Sequence, residues 1–344
     1  MNISRVGVDI AKSVFHVHGV DRHEQPQWRG KYTRAKWLDA VCRRVPQGAI
    51  IGMEACATAH YWARQLQARG YQVKLVAAQF VKPYVKTNKN DRADAEAICE
   101  ALGRPTMRFV AIKSVEQQDA QATHRIREEL ISQRTAKANQ IRGLVGEYGL
   151  IAPTGIQQLR RALPLWLEDA SNGLSDHFRR LLAELANDLR YLDDRVEQLT
   201  TAIEKHANTD PVARRLMTLR GIGPITASAL AGVLGDGTIY QRGRDFAASL
   251  GLTPRQHSTG GRERLLGISK RGNGYLRKLL VHGARSVLRY AVTQEDGLSQ
   301  WIKRLAMRKH RNVAIVALAN KTARMAWAIT RHQVPYDPEL AAAA

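Results

Sequence analysis

Ile3-Ser4-Arg5-Val6-Gly7-Val8-Asp9-Ile10 is the first readable element of the chain. Val6, Val8 and Ile10 fall on one face and Gly7, Asp9 and Ala11 on the other, the alternation of a β-strand. Asp9 stands between small neighbours, which leaves room above it for a ligand. A second strand is expected from Ser13 to His18, through Val14, Phe15, His16 and Val17. The turn signal Gly19-Val20-Asp21 follows, then a third strand near Trp28 to Tyr32, so the three form an antiparallel meander. Next come a helix over about Ala35 to Arg44, a strand at Ala49 to Met53 ending in Glu54, and a helix over about Ala59 to Arg69. Strands at Gln72 to Ala77 and Met107 to Ile112 complete the set. Three strands followed by alternating helix and strand is the order of an RNase H-like α/β domain.

Between those last two strands lies an acidic island, Asn88-Lys89-Asn90-Asp91-Arg92-Ala93-Asp94-Ala95-Glu96-Ala97, in a protein of formal charge +22. From Asp94 onward it reads as helix, with Ala95, Ala97, Ile98 and Ala101 for an apolar side. Asp91 and Asp94 are spaced to share a helix face. Acids at a helix start also serve as cap and dipole partners. In an RNase H-like domain, acids from the first strand, a later strand end and a following helix meet at one edge, and Asp9, Glu54, Asp91 and Asp94 fall on those elements. Four carboxylates together repel unless cations neutralise them, and oxygen-only ligands select Mg²⁺ or Mn²⁺. Two such ions about 4 Å apart can activate an attacking oxygen and stabilise a leaving one. Lys82, Lys86, Lys89 and Arg92 beside the acids let a phosphodiester approach. Lys12 is either a phosphate contact or a solvated lysine. His16 and His18 share a strand face and could ligate a metal, but they read as surface histidines.

The charge balance, 53 Lys and Arg against 31 Asp and Glu, points to a polyanionic partner. Nucleic acid is favoured over a membrane surface, because no apolar run reaches the roughly 20 residues that a span needs. The opening residues lack the form of a signal peptide. With 44% hydrophobic and 24% charged residues the chain can build packed cores. Cys42, Cys56 and Cys99 match neither a disulfide framework nor a zinc spacing and are expected to be buried thiols in a reducing cytoplasm.

Three domains are expected: 1–113, 114–210 and 211–344. The middle one is long, polar and helix-favouring, with one helix over Ala120 to Val145 and a break at Gly149 to Gly155. A second long helix carries Leu182, Leu185, Leu189, Leu192, Val196, Leu199 and Ile203, a coiled-coil spacing. These helices can pair within the chain or with another subunit. In the mostly α last third, Leu219-Arg220-Gly221-Ile222-Gly223-Pro224 resembles the turn of a helix-hairpin-helix element, where Arg220, Gly221 and Gly223 would meet a phosphate. Further on, Gly251-Leu252-Thr253-Pro254-Arg255-Gln256-His257-Ser258-Thr259-Gly260-Gly261 reads as a loop between helices. Arg255, Arg262, Arg264, Lys270, Arg271, Arg277 and Lys278 crowd around it, an arrangement suited to a hydroxyl presented to a phosphate. The basic segment Trp301 to Arg311 fits nucleic-acid binding, and the Ala-rich end Leu340 to Ala344 is expected to fray.

Taken together, Gly7–Lys12, Gly52–Ala55, Asn90–Ala95, the Gly-Ile-Gly-Pro turn, the Gly251–Gly261 stretch and Gly267–Asn273 closely resemble the transposases of the bacterial insertion sequence 110 family, its 1111 subgroup in particular. The resemblance covers essentially the whole chain. It implies a RuvC-like domain whose Asp-Glu-Asp-Asp tetrad is Asp9, Glu54, Asp91 and Asp94, a coiled coil, and a C-terminal transposase domain bearing a catalytic serine. It also implies a structured noncoding bridge RNA pairing with donor and target DNA, and a homo-oligomer, a dimer assembling to a synaptic tetramer. The register leaves Ser258 or Thr259 as the nucleophile; Ser258 is preferred, because a primary hydroxyl attacks phosphorus with less crowding. Two other readings compete: a resolvase-like hydrolytic nuclease using the acids and water, and an architectural nucleic-acid-binding protein with structural acids.

Overall fold

The computed structural model describes residues 2–85 and 91–338. Asn88, Lys89 and Asn90 of the acidic island, Lys86, and the Ala-rich end lie outside the described residues. The chain forms two compact units, Met1–Glu116 and Gln117–Ala344. The long helices and the last third, separated at 210/211 by the sequence reading, thus belong to one unit.

The first unit is built on a six-stranded mixed sheet. Its strands are β1 (Arg5–Ile10), β2 (Val14–Val20), β3 (Pro26–Thr33), β4 (Ile50–Glu54), β5 (Gln72–Val76) and the short β6 (Phe109–Val110). They lie in the order β3-β2-β1-β4-β5-β6, with β1, β2 and β3 antiparallel and β1, β4 and β5 parallel. Helices α1 (Trp37–Arg44), α2 (Ala59–Gln67), the single turn α3 (Ala78–Val81) and α4 (Asp91–Leu102) connect or flank them.

Alternation along the strands splits the residues between two layers. On one side Val6, Val8, Phe15, Val17, Ile51 and Met53 meet α1 and α2, where Phe15, Trp37 and Trp62 pack edge to face with ring centroids 5.0 to 5.5 Å apart. Truncating a buried aromatic such as Phe15 costs about 3–5 kcal/mol. The opposite face is shaped by Gly7 and Gly52, which are paired across β1 and β4. A Cβ on Gly7 would lie 2.3 Å from the Ala95 carbonyl oxygen, and one on Gly52 2.3 Å from Leu102. Only bare backbone lets α4 lie this close, and α4 covers the glycines with Ala95, Ala97, Ile98, Cys99, Ala101 and Leu102.

The thiols do not share one environment: Cys99 is buried, Cys56 half-buried and Cys42 exposed, all of them free. The expectation of three buried thiols fails at Cys42, which lies on the outward side of α1 while Trp37, Ala40 and Val41 turn inward.

In the second unit, α5 (Val115–Gly146) and α7 (Asp176–Thr209) form an antiparallel pair. Arg127 donates to Thr200 at 2.7 Å, Arg134 pairs with Asp193 at 3.2 Å and Lys137 with Asp188 at 3.0 Å, so partners run backward along α7 as α5 advances. A third helix, α6 (Ile156–Glu168), absent from the sequence reading, packs Leu159 and Leu163 into the same core as Ile141, Val145, Leu182 and Leu189. Pro164 inside α6 hid it from a propensity reading. Within the heptad, Leu182, Leu189, Leu192, Val196 and Ile203 are buried inside this chain.

The remaining helices are α8 (Pro211–Leu216), α9 (Pro224–Leu234), α10 (Gly243–Ser249), α11 (Gly274–Tyr290), α12 (Gly297–Arg308) and α13 (Arg311–His332). Ala314, Ile315, Leu318, Ala319, Ala323, Ala326 and Ile329 of α13 lie in their shared core. Among the described residues no helix is long and apolar enough to cross a membrane.

Candidate active site

The acids meet on the α4 side of the first sheet. The Gly-x-Asp of β1 and the Gly-x-Glu of β4 run parallel and in register, so Asp9 and Glu54 follow one residue after the pair Val8 and Met53, at adjacent strand ends. The glycines admit α4, and its first turn then delivers Asp91 and Asp94. Carboxylate oxygens of Asp9, Asp91 and Asp94 lie within 4.8 Å of one another. Glu54 is outside that group, one strand away. Its charge is nonetheless felt locally: burial first, then the carboxylates of Glu54 and Asp9, push the Cys56 thiol up. Asp9 and Asp94 are half-buried and Asp91 is exposed. The described helix already includes Asp91, three residues ahead of Asp94, and both aspartates fall in its first turn.

Such a donor set fits a hard divalent cation: three carboxylates converge where the rest of the protein is strongly basic, and all their donor atoms are oxygen. The structure also corrects the reading of the histidines. His18 is buried and accepts at Nδ1 from Arg29 Nε at 3.3 Å. His16 lies opposite Asp9 in the β1–β2 ladder, with its side chain 12% exposed. Neither is a surface histidine, because α4 covers the face on which both stand. The signal was present in the sequence: a short turn between two strands pairs Asp9 with His16 by simple counting. Arg92 is exposed beside the acids, while Arg29 pairs with Glu96 of α4 at 3.6 Å.

Ser258 and Thr259 lie on a different kind of element from the one expected. Residues 254–268 form a β-hairpin, β7 (Pro254–Gln256) against β8 (Leu265–Ile268), in place of a loop between helices. Gly260 and Gly261, at φ +54° and +76°, turn the chain at the tip, and Arg262 N–H donates to the Thr259 carbonyl at 3.0 Å. This is the positive-φ turn that a tight hairpin favours. Pro254 through Gly267 are all exposed, so the hairpin stands out from the helical body with Ser258 near its tip. The Ser258 hydroxyl accepts from Gln256 Nε2 at 2.9 Å. Arg255, Arg262, Arg264, Lys270 and Arg271 are exposed along the hairpin and its base, as is Lys278 on α11.

The base of the hairpin depends on glycines that the sequence reading passed over. A Cβ on Gly272 would lie 1.8 Å from the Ser249 carbonyl oxygen, and one on Gly251 2.3 Å from that of Arg271. Asn273 then caps α11 by accepting from Leu276 N–H at 3.1 Å. Arg277 donates to the carbonyls of Leu250 at 2.8 Å and Arg271 at 3.0 Å, so its guanidinium ties down the hairpin base.

The residues of the helix-hairpin-helix-like turn divide their tasks. Gly221 sits at φ +81°, and a Cβ there would lie 2.8 Å from the Gly283 carbonyl oxygen of α11. That glycine serves packing, whereas Gly223 opens onto free space at the start of α9. Arg220 is ion-paired with Asp296, the N-cap of α12. Burial raises the Asp296 carboxyl, but hydrogen bonds from Ser299 and Arg220 outweigh it and hold the group at about 2.

The comparisons with known proteins agree along the whole length. Residues 6–149 match a family described as Transposase, the DEDD group of IS110, and residues 213–298 match the family described as Transposase IS116/IS110/IS902. The chain is 49% identical to a probable family 20 transposase of Pseudomonas aeruginosa, over 98% of this chain and 100% of the relative. It is 42% identical to the transposase for insertion sequence element IS1328 of Yersinia enterocolitica, covering 96% and 97%. Identity to the transposase for IS1111A of Coxiella burnetii is also 42%, covering 97% and 92%. An α/β unit with converging acids and a basic helical unit with an exposed hairpin therefore define a DNA-processing transposase. The chain belongs to the IS116/IS110/IS902 family of insertion-sequence transposases.

Proposed function

We propose that this transposase cuts and exchanges DNA strands through a serine–phosphate linkage, assisted by divalent metal at an RNase H-like, RuvC-type acidic site. The observation that carries the metal half is the convergence of Asp9, Asp91 and Asp94 within 4.8 Å, with Glu54 at the adjacent strand end. These four residues would hold Mg²⁺ or Mn²⁺, which supplies charge stabilisation at the phosphorus and the leaving oxygen. The serine half is supported by the exposed hairpin, which presents Ser258 among arginines with space for a duplex backbone around it.

In this reading Ser258 Oγ attacks a DNA phosphodiester. The new Ser–O–P bond replaces a P–O bond to deoxyribose, and the freed 3′ oxygen takes up a proton. That 3′ hydroxyl then attacks the equivalent serine–phosphate on the partner duplex, restoring the serine and conserving the number of ester bonds. Arg255, Arg262 and Arg264 neutralise the phosphate as it approaches, and Arg92 does the same beside the acids. A noncoding bridge RNA of the element guides the choice of donor and target, and a homo-oligomer of this chain holds the two duplexes.

The test uses protein purified from cells carrying its native element, with co-purifying RNA sequenced. Mg²⁺-dependent strand exchange is then compared between the wild type and Ser258→Ala. The reading expects a covalent protein–DNA adduct with the wild type and none with the variant. Cleavage by Ser258→Ala at the wild-type rate removes the serine and leaves a hydrolytic nuclease.

A further inference from the structure

We infer that His16 is a positioning residue of the acidic site, acting through Asp91. The inference rests on the metal reading above and adds to it a residue outside the acid tetrad. In the ladder, Asp9 and His16 are directly opposed, so both project from the same face, the one that α4 covers. His16 Nδ1 is buried and has no hydrogen-bond partner among the described residues. In the acidic site it faces Asp91 Oδ2, at 3.8 Å.

The three clustered carboxylates differ in how firmly they are held. Asp9 is fixed by a central strand and Asp94 is half-buried in the helix. Asp91 is the first described residue of α4, and its side chain is 64% exposed. A ligand with that much freedom needs an outside hold to keep its geometry. Carboxylate ligands obtain this from a neighbouring hydrogen-bond donor, and such outer partners typically tune metal affinity by about 10- to 100-fold.

The imidazole meets the requirement. An N–H···O bond spans about 3 Å, so a small turn of the exposed Asp91 side chain closes the 3.8 Å gap. With Nδ1 as donor, one oxygen of Asp91 is engaged by His16 and the other is left for the ion. The same bond satisfies a buried nitrogen whose desolvation is otherwise uncompensated. His16 lies outside the group of donor atoms within 4.8 Å, which favours support of Asp91 over direct ligation.

The test is Mn²⁺ binding to the full-length protein, followed by titration calorimetry and the Mn²⁺ electron paramagnetic resonance spectrum, for wild type, His16→Leu and His16→Asn. Loss of the donor in His16→Leu is expected to weaken Mn²⁺ at least about 10-fold. Asparagine places an amide N–H near the position of Nδ1 and should recover most of that affinity. Melting in EDTA reports the fold separately, and the leucine variant should melt no lower than the asparagine one. Because His16 acts through Asp91, His16→Leu should cost nothing further in an Asp91→Asn background. Wild-type affinity in His16→Leu, equal losses in His16→Leu and His16→Asn, or an equal His16→Leu loss in both backgrounds each overturns the inference. Failure of the wild type itself to bind Mn²⁺ overturns the metal reading beneath it.

Discussion

Protonating His124 should destabilise the second unit by an amount that its surroundings set. This side chain is 4% exposed on α5, with Nδ1 3.0 Å from the Tyr275 hydroxyl of α11 and Nε2 3.1 Å from the Ser228 hydroxyl of α9. A neutral ring satisfies both, since one nitrogen donates and the other accepts. Burial, then the positive charges of Arg127 and His206, lowers the group from 6.5 to about 4. Between those values the unfolded chain binds a proton that the folded chain refuses. The stability His124 supplies is therefore complete above pH 6.5, falls as the pH drops toward 4, and levels off below. At about 1.4 kcal/mol per pH unit the whole effect approaches about 3 kcal/mol, and about 2 kcal/mol of it falls between pH 8 and 5. Other groups titrate in the same range, so the measurement is the difference between wild type and His124→Gln in urea unfolding at several pH values. The wild type should lose about 2 kcal/mol more than the variant between pH 8 and 5. Parallel curves for the two proteins would refute a buried neutral imidazole.

Three further outcomes follow from close contacts and caps. Gly7→Ala places a methyl 2.3 Å from the Ala95 carbonyl oxygen, so α4 must lift and carry Asp91 and Asp94 away from Asp9. It should lower the melting temperature and weaken Mn²⁺ binding in calorimetry. Gly272→Ala, at φ +72° and 1.8 Å from the Ser249 carbonyl oxygen, should disrupt the hairpin base and abolish strand exchange. The Mn²⁺ binding proposed for the first unit should survive that substitution. Asp296→Ala removes the α12 cap and the Arg220 partner and should cost about 0.5–2 kcal/mol at neutral pH in urea unfolding. Because the Asp296 carboxyl is held at about 2 against a usual 3.8, its contribution is present above pH 3.8 and is lost as the pH falls toward 2. The variant and the wild type should converge across that range.

The strands and main helices of the first unit were legible because each carries its own periodicity; β1 and β4 appear where the pattern places them, and α4 reaches back at least to Asp91. The acids could be nominated for the same reason, since strand order determines which ends are neighbours. The sequence alone also established the basic character of the protein and its resemblance to insertion-sequence transposases, which depend on composition and short motifs. It could not show that Ser258 sits on a hairpin: residues 254–267 are exposed on both faces, so no apolar alternation marks the strands. Nor could it show α6, whose internal Pro164 argues locally against the helix that Leu159 and Leu163 anchor through tertiary packing.

Tertiary structure alone decided the close approaches. Gly7 under α4, Gly221 against Gly283, and Gly272 against Ser249 join residues distant in sequence, and in each pair a missing Cβ is what allows contact. The same packing withdrew His16 and His18 from solvent and brought Asp91 and Asp94 to Asp9. Composition and periodicity act over a few residues and determine which elements form. Which side chains meet depends on register and on the distance between layers, and those are set only once the sheet has taken α4 onto its glycine face.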